Sequence, residues 1–152
     1  MKKVTLTIAT VLLAGSLFAQ DFKPPAPAVS AMQAKYPAAE IDEWYDDETE
    51  LICYFENNGE FGSAFFTKKG VWIRSEFPMD EMELGEVTLD QIFEKYKDYE
   101  IMESLKVTDT KGTTFKIYIY NAIIESDYLI TVDKGGKMIS EENLTVEDDS
   151  FE

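Results

Sequence analysis

A short helix followed by four strands occurs twice in the sequence, and this pattern constrains the fold more than any other feature. In each copy, apolar residues spaced three, four or seven positions apart mark one face of a helix. They are Val29, Met32 and Tyr36 in the first copy and Leu89, Ile92, Phe93 and Tyr96 in the second. Thr88 and Gln91 form a capping-box pattern that predicts the start of the second helix. Corresponding positions such as Val29 and Leu89 lie 60 residues apart, which indicates an internal repeat.

Runs of alternating or apolar residues predict four strands after each helix. In the first copy we expect strands near residues 40–46, 49–56, 61–67 and 71–77, with Asn58-Gly59 as a hairpin turn. In the second copy we expect strands near residues 100–108, 114–121, 126–133 and 137–141. The predicted fold class is therefore α+β, in which each repeat packs one helix on a four-stranded antiparallel meander.

The two ends of the chain have the composition of an export signal and of a tail. Lys2 and Lys3 precede an apolar run that reaches Leu17, which predicts a cleaved signal peptide. Ser16 stands where a lipoprotein signal carries its lipidated Cys, so we expect a soluble protein of the periplasm or the medium, with no membrane anchor. The predicted order is a signal peptide (1–19), a Pro-rich linker (20–27), a single domain (28–141) of two repeats (28–78 and 88–141), and an acidic tail (142–152).

The composition excludes several classes of function. The 14 Lys and Arg residues are outnumbered by 30 Asp and Glu residues, and the net charge of −16 disfavours binding to nucleic acid or to an anionic membrane. The sequence has no His and one Cys, which removes His-based catalysis, Cys–His pairs and most zinc sites. Cys53 lies in an apolar run and is predicted to be a core thiol. We expect no catalytic residue, no cofactor and no metal ligand.

The sheet face that no helix covers is predicted to carry the binding residues. In segment 114–120, apolar side chains alternate with Lys116, Tyr118 and Tyr120, and the apolar set is expected to face the helices. The candidate partner-binding residues are Tyr54, Trp72, Arg74, Lys116, Tyr118 and Tyr120. Alternation leaves open which side of the fourth strand Trp72 and Arg74 occupy, because Lys137 in the second copy shares a side with Ile139. Tyr and Trp offer a large contact area with one polar tip, which suits an interface. The alternative interpretation is that these rings pack under loops or against the other repeat.

Seven carboxylates and no basic residue lie within the eleven residues 40–50. We expect them to form a solvated acidic surface that attracts a basic partner. Binding of Ca²⁺ is the alternative, because hard cations need clustered oxygen ligands. The run lacks the spacing of a calcium-binding loop, which favours the solvated surface.

A set of short motifs in the first copy carries a family resemblance. The motifs are Lys35-Tyr36-Pro37, Ala39, Ile41, Trp44, Tyr54-Phe55, Asn58-Gly59, Ala64-x-Phe66 and Gly70-x-Trp72. Together they resemble the PepSY-like, β-lactamase-inhibitor-like family of small exported bacterial proteins common in Bacteroidetes. The resemblance covers about residues 28–141 and implies tandem helix-plus-sheet repeats whose sheets form a concave surface. The second copy departs from the motifs, because Tyr96-Lys97 lacks the Pro and Ser104 or Leu105 replaces the Trp.

These observations leave two main hypotheses for the function. The first is a non-enzymatic exported module that binds a protein or peptide on the concave sheet face; the resemblance adds inhibition or regulation of an envelope enzyme. The alternative is a small-ligand protein of the envelope that binds an oligosaccharide or Ca²⁺. A hydrolase ranks lowest, because two carboxylates at catalytic separation arise by chance in a chain with 30 acidic residues.

Overall fold

Eight strands in chain order form one antiparallel sheet in the computed structural model, which describes residues 22–145. The helices are α1 (Ala26–Lys35) and α2 (Glu86–Lys95), and a 3₁₀ helix (Glu81–Leu84) precedes α2. The first four strands are β1 (Glu40–Asp46), β2 (Leu51–Asn57), β3 (Glu60–Phe66) and β4 (Trp72–Pro78). The last four are β5 (Glu100–Asp109), β6 (Gly112–Asn121), β7 (Ser126–Asp133) and β8 (Met138–Asn143).

The two predicted four-stranded meanders are joined into a single sheet. Strand β4 pairs antiparallel with β5, so that Arg74 lies opposite Asp109 and Pro78 lies opposite Leu105. The backbone N–H of Met79 extends this pairing by donating to the carbonyl of Ser104 at 2.9 Å. The alternation within each half did not reveal whether the two sheet faces merge, and the β4–β5 pairing makes them continuous.

Helix α1 packs on the first half of the sheet. Ala28 and Met32 of α1 are buried, and with them the side chains of β2 and β3 that point to the same face. These strand residues are Leu51, Cys53, Phe55, Ala64 and Phe66. Cys53 has no exposed surface, as predicted for a core thiol.

Helix α2 packs on the second half of the same face. Its residues Leu89 and Ile92, together with Tyr96, form a core with four buried side chains of β6 and β7. These strand residues are Ile117, Ile119, Ile130 and Val132. Phe93, which the helical spacing placed on the buried face, is 42% exposed. Burying a large apolar side chain contributes roughly 1.5–3 kcal/mol, so the two cores hold the helices on the sheet.

The two helices begin earlier than the sequence pattern indicates. Helix α1 begins at Ala26 after the extended Pro25, so the predicted linker ends two residues sooner. Helix α2 begins at Glu86, and its N-cap Gly85 has no side chain with which to cap it. The predicted capping box at Thr88 is wrong, because Thr88 lies within the first turn of α2. The capping box is formed instead by Asp80 and its partner Glu83 at the 3₁₀ helix.

The predicted ends of the chain fall largely outside the described residues. The signal peptide over residues 1–19 lies wholly outside them, and so do residues 146–152 of the acidic tail. Strand β8 continues to Asn143, so the predicted tail begins inside a strand. Among residues 22–145, no helix has the length and apolar character that a membrane crossing requires.

Candidate functional site

The sheet face turned away from α1 and α2, called the open face below, contains most of the predicted binding residues. Residues opposite each other in antiparallel strands project to the same side, so the register identifies the face. Its central members are Ile52, Tyr54, Phe65, Arg74, Glu76, Leu105, Val107, Lys116, Tyr118 and Tyr120. Five of the six predicted site residues therefore lie on the open face.

Trp72 is the exception, and its predicted place on the open face is wrong. It packs against the α1 core, where its indole Nε1 donates to Ser75 Oγ at 2.9 Å. The ammonium group of Lys35 lies 3.5 Å from the centroid of its ring. The reason is a β-bulge: Phe65 pairs with Arg74, but the next residue, Phe66, pairs with Trp72. The extra residue of β4 turns Trp72 and Arg74 to opposite faces although they lie two positions apart.

An ion-pair network crosses the middle of the open face. Arg74 Nη1 donates to both carboxylate oxygens of Glu50, to Oε1 at 2.8 Å and to Oε2 at 3.0 Å. Arg74 Nε donates to Glu76 Oε1 at 2.8 Å, and Lys116 Nζ donates to the same oxygen at 3.1 Å. Two cations are thus balanced by two carboxylates, and all four side chains are at most 25% exposed.

Arg74 is held in place by stacking as well as by charge. Its guanidinium carbon lies 3.7 Å from the centroid of the Phe65 ring, at which distance a cation–π interaction forms. Burial lowers the pKa of Arg74, but the hydrogen bonds and charges of Glu50 and Glu76 outweigh burial and leave the pKa above its ordinary value. Arg74 is therefore a fixed, permanently charged group.

The tyrosines of the open face differ in their surroundings. Tyr54 is 42% exposed, whereas Tyr118 and Tyr120 are half-buried. Burial raises the pKa of Tyr118, and the negative charges of Glu76 and Glu103 raise it further. Tyr118 therefore keeps its proton at neutral pH and offers a hydroxyl that can donate a hydrogen bond.

Three apolar side chains of the open face are buried although no helix within residues 22–145 covers them. Ile52, Leu105 and Val107 are 8%, 8% and 5% exposed, and none of them belongs to the two helix-side cores. The cross-strand neighbours that flank Ile52 are Tyr45 and Phe65. Side chains of the open face therefore pack over one another, and the face presents a preformed surface.

Several residues of this surface were missed at the sequence level. Glu76 was detectable, because it lies two positions after Arg74 and shares its side of the strand. Glu50 and Phe65 were not, because they contact Arg74 only once β2, β3 and β4 are paired. The signal for these two residues is in the pairing of strands, which the alternation of a single strand does not contain.

The predicted acidic surface lies on and beside edge strand β1. Asp47 stabilises the turn that follows β1, because its Oδ1 accepts hydrogen bonds from the backbone N–H groups of Thr49 and Glu50. Lys68 forms an ion pair with Asp46. Across residues 22–145, no group of three or more His, Cys, Asp or Glu side chains is arranged to hold a metal ion.

Solved structures share this arrangement of helices and sheet. A BLIP-like protein from Bacteroides fragilis matches with a TM-score of 0.69 at 17% identity, over 86% of this chain and 93% of the other. The chain has the BLIP-like fold. A DUF2874 family protein from Bacteroides ovatus also matches the present chain, with a TM-score of 0.68 at 17% identity, over 81% of this chain and 89% of the other.

A third solved structure that matches the present chain is a protein from Bacteroides eggerthii whose name assigns it provisionally to the periplasm. It has a TM-score of 0.67 at 18% identity, over 82% of this chain and 91% of the other. No family model matches the sequence, and no curated protein has a significantly similar sequence. At these identities the likeness is one of fold, so membership of the PepSY-like family stays a prediction.

Proposed function

We propose that this chain is an exported, non-enzymatic binding module of the PepSY-like, β-lactamase-inhibitor-like kind. Its open face binds a protein or peptide partner and thereby inhibits or regulates an envelope enzyme. The observation that carries the proposal is the continuous open face, which eight strands form and no described helix covers. The BLIP-like fold of the solved neighbours and the provisional periplasmic name of one of them support it.

The chemistry of the open face suits a macromolecular partner. Tyr54, Tyr118 and Tyr120 supply aromatic contact area that costs little conformational entropy to order. The ion-pair network is already formed in the free protein, so a partner does not have to pair Arg74 or Lys116 itself. Preorganised groups of this kind reduce the free-energy cost of association.

The side-chain inventory supports the non-enzymatic part of the proposal. The sequence contains no His to act as a general base near neutral pH. Burial raises the pKa of the Cys53 thiol to about 12, so this thiol is not a nucleophile at neutral pH.

Affinity capture with a double variant tests the proposal. The purified protein is immobilised and exposed to an envelope extract of the source bacterium, in parallel with Tyr118→Ala/Tyr120→Ala. We expect a protein that the unaltered chain retains and the variant loses, because two aromatic contacts are removed. The melting temperature of the variant is expected to fall by no more than about 5 °C, since both rings are half-buried.

The matched control is Val87→Ala/Phe93→Ala, which removes two exposed apolar side chains from α2 on the other side of the sheet. This control is expected to retain the same protein as the unaltered chain. Equal retention by all three proteins contradicts the proposal. A fall of the melting temperature well beyond the expected range shows instead that Tyr118 and Tyr120 are core residues.

A further inference from the structure

Two β-bulges lie at the same end of the sheet, 60 residues apart in the chain. In β1 the pairing with β2 shifts between Ile41 and Glu43, and in β5 the pairing with β6 shifts between Ile101 and Glu103. Asp42 and Met102 are the extra residues. A bulge bends its strand and redirects side chains, and bulges are common next to functional sites.

Each bulge lines a groove, and the two grooves, called the bulge grooves below, adjoin. The first has a volume of about 340 Å³ and is lined by Asp42, Glu43, Tyr54, Phe61, Ser63 and Pro78, among others. The second has a volume of about 270 Å³ and is lined by Pro78, Met79, Glu81, Met102, Glu103 and Ser104, among others. Pro78 lines both, so one ligand can occupy the two grooves together.

The bulge grooves combine exposed apolar side chains with carboxylates. Phe61 and Met102 are 68% and 63% exposed, the two highest values among the large apolar side chains of the described strands. Two carboxylates line each groove, and neither Lys nor Arg is among the residues that line them. Such a surface attracts a group that is both apolar and positively charged.

Charge decides between the occupants that an apolar groove can take. A second copy of this chain is disfavoured, because each copy carries a net charge of −16 and would bring more carboxylates to the grooves. Nucleic acid and anionic lipid are repelled in the same way. A basic polypeptide segment with apolar side chains satisfies both the carboxylates and the exposed rings.

We infer that the bulge grooves bind a basic segment of the partner protein. One apolar side chain of that segment fills each groove, and its Lys or Arg side chains lie against Glu43 and Glu103. The inference rests on the proposed function and specifies the chemistry of the partner and the end of the sheet that it occupies.

Selection from a phage-displayed library of random dodecapeptides on the purified, immobilised protein tests the inference. We expect the selected peptides to be rich in Lys or Arg and in Leu, Phe, Tyr or Trp. Their binding is expected to weaken when the ionic strength rises from about 0.15 M to about 1 M, because salt screens exposed charges. Selected peptides that carry no excess of basic residues overturn the inference.

The charge contribution is isolated by Glu43→Gln/Glu103→Gln. This pair is expected to weaken the selected peptides roughly tenfold, since two exposed carboxylates are neutralised. The control Asp90→Asn/Glu94→Gln removes the same charge from exposed positions of α2 and is expected to leave binding unchanged. Equal weakening by both pairs shows a general effect of net charge and overturns the inference.

The apolar contribution is isolated by Phe61→Ser/Met102→Ser. This double variant is expected to weaken peptide binding by about tenfold or more, because each of its substitutions removes the exposed apolar side chain from one groove. The control Val71→Ser/Val87→Ser alters two comparably exposed side chains, 62% and 71%, outside the bulge grooves. The melting temperatures of both pairs show whether the fold is retained.

The remaining outcomes separate this inference from the proposed function. If Tyr118→Ala/Tyr120→Ala abolishes binding of the selected peptides and neither groove pair weakens it, the peptides bind at the middle of the open face. The inference is then overturned and the proposed function stands. If none of these variants weakens binding of the peptides, both the inference and the proposed function are overturned. A selection that yields no peptide overturns the inference, and the capture experiment then decides the proposed function alone.

Discussion

Two glycines in tight turns set how closely each helix approaches the sheet. Gly70 and Gly136 have φ angles of +85° and +82°, and the N–H of each donates to the residue three positions earlier, at 2.8 Å and 2.9 Å. A Cβ at Gly70 would lie 2.4 Å from the backbone nitrogen of Ala28, and a Cβ at Gly136 would lie 2.2 Å from Thr88 Oγ1. Each turn therefore packs its backbone against the first turn of a helix, which no other residue permits.

Replacing Gly70 by Ala tests this close approach. We expect Gly70→Ala to lower the free energy of unfolding by about 3 kcal/mol or more, because the left-handed backbone is strained and the Cβ meets the backbone of α1. The control Gly59→Ala has a similar φ of +87° but no atom within 4 Å of its Cβ. It is expected to cost only about 1 kcal/mol. Urea unfolding measures both, and equal losses would contradict the proposed helix contact.

At single residues, the limit of sequence-based prediction is the bulge. The alternation in β6 placed Lys116, Tyr118 and Tyr120 on one face, and the register agrees. The same logic did not decide the faces of Trp72 and Arg74, and one unpaired residue in β4 in fact reverses the faces of everything beyond it. No residue type marks that position, so the sequence does not reveal it.

Among the elements, the ion-pair network ties strands that are not neighbours. Glu76 on β4 accepts hydrogen bonds both from Arg74 on its own strand and from Lys116 on β6, across β5. At the other end of the network, Glu50, which precedes β2, accepts a hydrogen bond from Arg74. The side chains of the network are largely shielded from solvent. Removing one of them therefore lowers the free energy of unfolding more than it would in an exposed ion pair.

Neutralising Glu76 tests the weight of this network. Glu76→Gln is expected to lower the free energy of unfolding by about 1–3 kcal/mol, because two cations lose their shared partner in a site where Glu76 is only 13% exposed. Glu142→Gln, an exposed position of β8, is expected to change it by less than about 0.5 kcal/mol. Chemical denaturation compares the two, and similar values would show that the network adds nothing to stability.

The strands were more predictable than the way in which they assemble. The predicted bounds 40–46 and 126–133 are those of β1 and β7, because turn residues delimit both runs. The start of α2 was misplaced, because Thr88 has a capping pattern but the helix begins at Glu86, after the N-cap Gly85. The β4–β5 pairing was not predictable, since a connection that contains α2 separates these strands and no local pattern links them.

Over the whole molecule, acidic residues govern the dependence of stability on pH. A hydrogen bond from Lys68 lowers the pKa of Asp46, the backbone N–H of Glu50 lowers the pKa of Asp47, and Lys95 lowers the pKa of Glu141. A carboxyl whose pKa is lower in the folded state stabilises the fold above its unfolded pKa. That contribution disappears as the pH falls through the folded pKa.

We therefore expect the melting temperature to fall steeply below about pH 4, the ordinary range of Asp and Glu. Scanning calorimetry between neutral and acidic pH measures this. Lys68→Met removes the partner of Asp46 and is expected to lower the melting temperature more at pH 7 than at an acidic pH below the lowered folded-state pKa of Asp46, where the carboxyl is protonated in both states. An equal loss at both pH values would show that Lys68 acts through packing and not through charge.

The order of the strands also determines how the chain can reach its fold. Every strand pairs with the next strand along the chain, so the sheet can grow by one hairpin at a time and most pairings close short loops. The costliest closure is the one between β4 and β5, because the intervening connection has to bring α2 back onto the sheet. The slowest step of folding is therefore expected at the seam between the two halves, which is also where the open face becomes continuous.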